Sequence, residues 1–293
     1  MRPQRAGLFI LAAAGCGGSG GGGGPKVALR FHPPAGAVYH YGLEQRTQLV
    51  AQSGPLASMG KQQMVIRMYF TQTVKGPLPV TAGGAGTQVD VVFESMTMEM
   101  PGVRSDVMQS ELAKLRGTRA TIVYDDRGRA TSTDLTPAPG VSPELVKQME
   151  SGTNILTFGF PDQPVGKGDS WTVTTELPLA QLPGTNAEAA GPAKTTLTVR
   201  EIRIDGSDTS VIVDIKTQFP PGPIQLDVGG QRGTLKLEGD LKGHQQFSLT
   251  RGAILDGTIK GATTMNITAP IFGSQPMRMV SETESSVSLL PDK

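Results

Sequence analysis

The feature that most limits what this chain can fold into is an alternation of apolar and polar residues with a period of two. In Gln63–Phe70 one face carries Met64, Ile66, Met68 and Phe70, and in Gln88–Phe93 one face carries Val89, Val91 and Phe93. Successive side chains of an extended chain point to opposite faces. Alternation therefore marks strands with one packed and one wet face, as antiparallel sheets have. The run Thr196–Ile204 alternates and then slips by one at Arg200-Glu201, as a bulge does. Asp205-Gly206 then separates it from Val211–Ile215, a hairpin pattern. Three long runs close the chain, at about residues 234–249, 253–268 and 277–289. Strands of that length belong to a strongly curved sheet or a half-barrel. Lys236, Glu238, Asp240 and Lys242 share one face of the first, so that face must be wet. The 38 glycines and 22 prolines are spread along the chain, which suits many short turns.

Two stretches read as helical. Ser105 is placed to cap a helix running to about Arg116, with Met108, Leu112 and Leu115 on one face. Ser142-Pro143-Glu144 is a stronger start, with serine as cap, proline in the first turn and glutamate at the positive end of the dipole; Leu145 and Met149 share a face and Gly152 ends it. The chain also reads as two related halves. Gly36-Ala37-Val38-Tyr39 opens one and Gly168-Asp169-Ser170-Trp171 the other, and each half reaches a strand, a tight turn and a return strand. The expected organisation is a leader at 1–15, a glycine-rich linker at 16–25, an N-terminal β half at 26–140, a helical connector at 141–166 and a C-terminal β half at 167–293. The expected fold class is mainly β: curved antiparallel sheets or a half-barrel, with one or two short helices.

The first residues have the parts of a secretion signal. Arg2 and Arg5 are basic, and Ala6–Ala14 is an apolar centre of about nine residues, short of the roughly 20 that span a bilayer. The stretch Leu11-Ala12-Ala13-Ala14-Gly15-Cys16 resembles the bacterial lipobox, departing from it where Ala13 stands in place of the usual leucine. That resemblance implies that the Cys16 sulfur takes a diacylglycerol and that cleavage makes Cys16 the new N-terminus. The other reading is an ordinary signal peptide cut near Ala14. Cys16 is the only cysteine, so no disulfide supports the body in an exported setting. The glycine run that follows behaves as a flexible leash. Gly17 occupies the place where an aspartate favours inner-membrane retention, so the resemblance implies the outer membrane, facing the periplasm.

With its leader, linker, early Gly-x-x-Tyr strand and the segment Phe160-Pro161-Asp162-Gln163-Pro164-Val165-Gly166-Lys167-Gly168-Asp169-Ser170-Trp171, the chain resembles a class of bacterial envelope lipoproteins of unknown function. The resemblance implies a compartment and an architecture but no chemistry. More remotely, curved antiparallel sheets crossed by helices are similar to the lipoprotein carriers of the envelope, which hold acyl chains.

The residues outline no reaction. The net charge of +1 gives no field that favours nucleic acid. His32, His40 and His244 have no partner at a metal-binding spacing, and no Gly-x-Ser-x-Gly elbow is present. Asp169 and Ser170 are adjacent on a strand and face opposite ways. The glycine clusters at 83–86 and 229–230 lack the Lys-Ser/Thr of a phosphate loop and read as hairpin loops. Met96-Thr97-Met98-Glu99-Met100 puts three thioethers on one face, and Met64, Met68, Met277 and Met279 alternate in the same way. Thioethers suit Cu(I), fill uneven cores, or line an adaptable apolar groove that fits an acyl chain.

The resulting expectation is a lipid-anchored, non-enzymatic envelope protein that binds an apolar ligand or an envelope partner through a concavity of its sheet. Met64, Met68, Met96 and Met98 line the ligand site, with no catalytic residue, metal or cofactor. Its partners are the membrane, through lipidated Cys16, and a lipid or apolar small molecule. The alternative is a structural or assembly lipoprotein that docks a protein partner and has no ligand cavity.

Overall fold

The structure is a computed structural model that describes residues 24–81, 84–100, 106–143, 145–146, 159–175, 185–187, 192–228, 230–272 and 276–291. Cys16, the leader and most of the glycine leash lie outside the described residues.

The strands form one large antiparallel sheet that does not close on itself. The N-terminal strands are β1 (Val38–Ala51), β2 (Lys61–Thr81), β3 (Gly84–Glu99), β4 (Arg119–Tyr124) and β5 (Ala130–Thr136). They are followed by β6 (Ser170–Thr175), β7 (Thr185–Ala187), β8 (Ala193–Asp205), β9 (Asp208–Gln218) and β10 (Ile224–Val228). The long strands β11 (Gln231–Ser248), β12 (Ala253–Thr268) and β13 (Met277–Leu289) complete the chain. Their spatial order is β5-β4-β3-β2-β1-β13-β12-β11-β9-β8-β6, with β10 and β7 branching from β11. Two meanders are thus joined where the first strand pairs with the last, Tyr41 opposite Leu289 through Ala51 opposite Met279.

Alternation assigns the faces. The inner face carries Tyr41, Phe70, Val89, Val91 and Ile122 from one wing and Val199, Val213 and Phe247 from the other, all in one apolar cluster. Strands far apart along the sheet share that cluster because two irregular segments lie between the wings. Leu29 and Phe31 come from the first segment, Phe160 and Val165 from the second, and Val27 bridges Val165. The Phe31 ring sits 4.8 Å from Tyr124 of one wing and the Phe160 ring 4.8 Å from Phe247 of the other. Trp171 packs at this end, its indole N–H donating to the Gly159 carbonyl at 3.0 Å. Arg127, from the β4–β5 turn, and Arg30, within the first segment, both bind the second segment of this plug. Arg127 Nε donates to Phe160 O at 2.6 Å, and Arg30 Nη1 to Pro161 O at 3.0 Å. A second, smaller cluster at the opposite end joins Ile224, Leu226, Leu235, Leu237, Ile267 and Met277.

Glycines set the curvature on the inner side of β11 and β12. Gly243 lies opposite Ile259, and Gly261 opposite Leu241. A methyl on Gly243 would overlap the Thr258 carbonyl oxygen and stand 2.7 Å from Ile259 Cα. No side chain fits where two backbones approach this closely. Gly239 marks the branch. β11 pairs β10 up to Leu235 and β9 from Asp240, and between them Gly239 takes φ +122°, a value that L side chains rarely adopt.

The slip at Arg200-Glu201 is a register shift between Val199 and Glu201 against β9, as the alternation predicts. The first helix is shorter than expected. α1 spans Asp106–Ala113, and the chain then tightens into turns closed by Lys114 N–H to Glu111 O and Leu115 N–H to Leu112 O. Leu112 and Leu115 are buried as expected; Ser105 lies outside the described residues. At the second helix Ser142 Oγ accepts the Leu145 N–H at 3.3 Å, a serine cap, and residues 147–158 are not described.

Candidate functional site

Between the two apolar clusters the inner face is partly exposed, although Leu43, Met68, Ile259 and Val287 still pack against the larger cluster and Met265 and Met279 against the smaller. Register lines up its rows. Met68, Leu43 and Val287 are neighbours across β2, β1 and β13. The next row is Ile66, Gln45, Ser285, Ile259 and Gly243, and the next Met64, Thr47, Thr283, Gly261 and Leu241. The rows end with Ala51, Met279, Met265 and Leu237, where the second cluster begins. Every side chain in the middle rows is half-exposed. The result is an open trough with apolar walls. Met64, Ile66, Met68, Met96 and Met98 form one wall on β2 and β3, and Leu241, Ile259 and Met265 the other on β11 and β12.

The four methionines singled out from the sequence share one wall. Met68 lies opposite Met96, and Met98 opposite Ile66, while Met64 sits two residues back along β2. β3 ends at Glu99, so Met100 falls beyond the strand and outside the row. Leu43, Leu241 and Met265 were not among the residues picked from the sequence. The signal that could have found them is the same alternation in β1, β11 and β12, where every second residue falls on the inner face.

The floor between the walls, on β1 and β13, is small and hydroxylated. Four of its polar side chains are paired in two hydrogen bonds. Gln45 Nε2 donates to Thr47 Oγ1 at 3.3 Å, and the Ser281 and Thr283 hydroxyls pair at 3.4 Å. Hydroxyls occupied in this way present their methyl and methylene groups to whatever lies above, which suits an apolar occupant.

The outer face is a field of ion pairs. Glu44 bridges Arg46 at 2.6 Å and Arg67 at 2.8 Å, and both hydrogen bonds hold its carboxyl below the usual range. Lys236–Glu238, Lys242–Asp240 and Lys260–Glu284 continue the pattern at 2.7–2.8 Å. A depression of about 400 Å³ lies on this side, with Arg46, Gln48, Gln63, Lys260, Glu282 and Glu284 among its lining residues; it is shallow and polar.

The histidines do not enter the trough. His40 Nδ1 lies 2.9 Å from Thr71 Oγ1 on the outer face, and the Thr71 hydroxyl donates to Glu94. The imidazole therefore donates to Thr71 and does not take its proton, the reverse of a base activating a nucleophile. His244 stands opposite Asp214 and Thr258. Among the described residues no three His, Cys, Asp or Glu side chains converge into a metal-holding group, and no helix is long and apolar enough to cross a membrane.

No family model and no curated protein matches the chain. Among solved structures, one described as lipid–protein interactions in lipovitellin aligns with 89% of this chain at 12% identity and a TM-score of 0.46; the chain spans 25% of that chain's length. DynF from the dynemicin biosynthesis pathway of Micromonospora chersina aligns over 91% of this chain and 86% of its own, at 9% identity and a TM-score of 0.22. At these scores neither likeness bears on function.

Proposed function

We propose that this chain is a lipid-anchored protein of the bacterial envelope, attached through Cys16 and the glycine leash, whose trough receives an apolar ligand with the dimensions of an acyl chain. The observation that carries the reading is the middle of the inner face. A folded sheet ordinarily covers the apolar side of its strands. Here Met64, Ile66, Met68, Met96 and Met98 on one side of the β1–β13 floor, and Leu241, Ile259 and Met265 on the other, share the inner face and remain partly exposed. Exposed contiguous apolar surface marks a binding site, and unbranched thioether side chains adapt to occupants of varying shape.

The test is lipid extraction and mass spectrometry of the full chain purified without detergent, alongside titration with an apolar fluorescent probe. The expected result is co-purified acyl-chain lipid and saturable probe binding, both lost in Met68→Glu, with the fold kept by circular dichroism. An empty protein that does not bind the probe would refute the trough reading. It would favour the sheet as a docking face for a protein partner.

A further inference from the structure

Resting on the trough reading, we propose that the end of the sheet carrying the β1–β2 and β12–β13 loops, beyond the second apolar cluster, is a docking surface for an anionic lipid bilayer. Two exposed aliphatic side chains project there. Leu56, in the β1–β2 loop beside the 3-10 turn Ala57–Met59, is 39% exposed, and Ile271, in the 3-10 turn Pro270–Phe272 after β12, is 55% exposed. The loops are bound to each other. Gln52 N–H donates to Arg278 O at 2.7 Å, Ser53 Oγ to Pro276 O at 2.7 Å, and Arg278 N–H to Ser53 Oγ at 3.1 Å. These bonds tie residues 52–53 to residues 276–278 in one rim, with Gly54 packed beside Met277, and the inner row Met279–Met265 begins just behind.

Charge selects the partner. From Ala51 to Lys61 and from Thr268 to Arg278 the sequence contains no acidic residue, and its charges are Lys61 and Arg278, both exposed. The nearby Glu238 carboxylate is held by Lys236 at 2.7 Å. Apolar tips with two cations and no acidic residue in their loops fit a bilayer whose headgroups are anionic: the aliphatic groups enter the acyl boundary while Lys61 and Arg278 meet phosphate. The other exposed aliphatics lack this setting. Ile204, 68% exposed, sits beside Asp205 and Asp208, and Val38 is at the plugged end. The rim also lies at the opposite end of the sheet from the plug through which residues 24–31 enter.

The experiment uses the full chain carrying Cys16→Ser, so that no acyl chain contributes. Flotation is compared on vesicles of phosphatidylglycerol with phosphatidylcholine and of phosphatidylcholine alone. Residues 6–14 are present in every protein compared, so only differences between variants are read. Leu56→Ser with Ile271→Ser should weaken partition to anionic vesicles about tenfold or more. Lys61→Gln with Arg278→Gln should weaken it about tenfold and remove the preference over phosphatidylcholine. Met68→Glu should leave partition unchanged while abolishing probe binding, which separates failure of the trough from failure of the rim. Equal partition of the loop variants and the parent would overturn the proposal. So would a parent that self-associates in sedimentation through these same side chains, since the rim would then be an interface between copies.

Discussion

Replacing Gly243 with alanine tests the account of the sheet's curvature. Gly243 is paired on both sides, with Ile259 of β12 and Ile215 of β9. The added methyl would overlap the Thr258 carbonyl oxygen and lie 2.8 Å from the Thr258 carbonyl carbon. These are backbone atoms of a strand itself paired to β13, so they cannot swing aside as a side chain would. Relief requires β12 to retreat locally. That weakens one or two ladder hydrogen bonds at about 1 kcal/mol each and adds overpacking strain of about 1–3 kcal/mol. A small gain of about 0.4–1 kcal/mol from a stiffer unfolded chain opposes this. The expected loss is about 2–4 kcal/mol, or about 5–15 °C in Tm for a chain of this size. Gly222→Ala is the control, because nothing lies within 4 Å of its added methyl and its φ is not positive; it should change stability by less than about 1 kcal/mol. Urea unfolding followed through Trp171, the single tryptophan, reports both. Equal stability of the two variants would refute the claim that backbone approach demands glycine in β11.

Further outcomes follow from the same geometry. Phe31→Ala removes a nearly buried ring (5% exposed) at the centre of the plug and should cost about 3–5 kcal/mol in urea unfolding; a loss below about 1 kcal/mol would mean that the segment merely lies on the surface. Burial pushes the Tyr41 and Tyr124 phenols far above their ordinary value, and the neighbouring Tyr39 adds to the effect on Tyr41. Their folded pKa is raised, so the stability they contribute is present below about pH 10 and is lost as pH rises and the unfolded chain alone ionises. Stability measured from pH 8 to pH 11 should fall steeply above about pH 10, and less steeply in Tyr124→Phe if this titration is the cause. Met68→Glu should abolish binding of apolar probe, and Leu56→Ser with Ile271→Ser should weaken vesicle partition, as set out above.

Much of the fold was legible because alternation is a local property. Met64, Ile66, Met68 and Phe70 had to share a face whatever the sheet became, and the slip at Arg200-Glu201 had to be a bulge once its neighbours were strands. The hydroxyl of Ser142 capped a helix as its spacing indicated. The end of α1 was less legible. Leu115 continues the helical spacing and is buried, but its backbone bonds back three residues, to Leu112.

What the sequence determined by itself was two-faced strands, their turns, and the wet outer side of Lys236, Glu238, Asp240 and Lys242. Which strands meet depended on contacts far apart in the chain. The pairing of β1 with β13, the plug that unites the wings and the branch at Gly239 are set by long-range packing that no window of residues contains. For the same reason Met68 and Met96 could each be read as core or as groove from their own neighbours. Only the folded sheet set Met68 opposite Met96 and placed Ile259 in the same row as Ile66, three strands away.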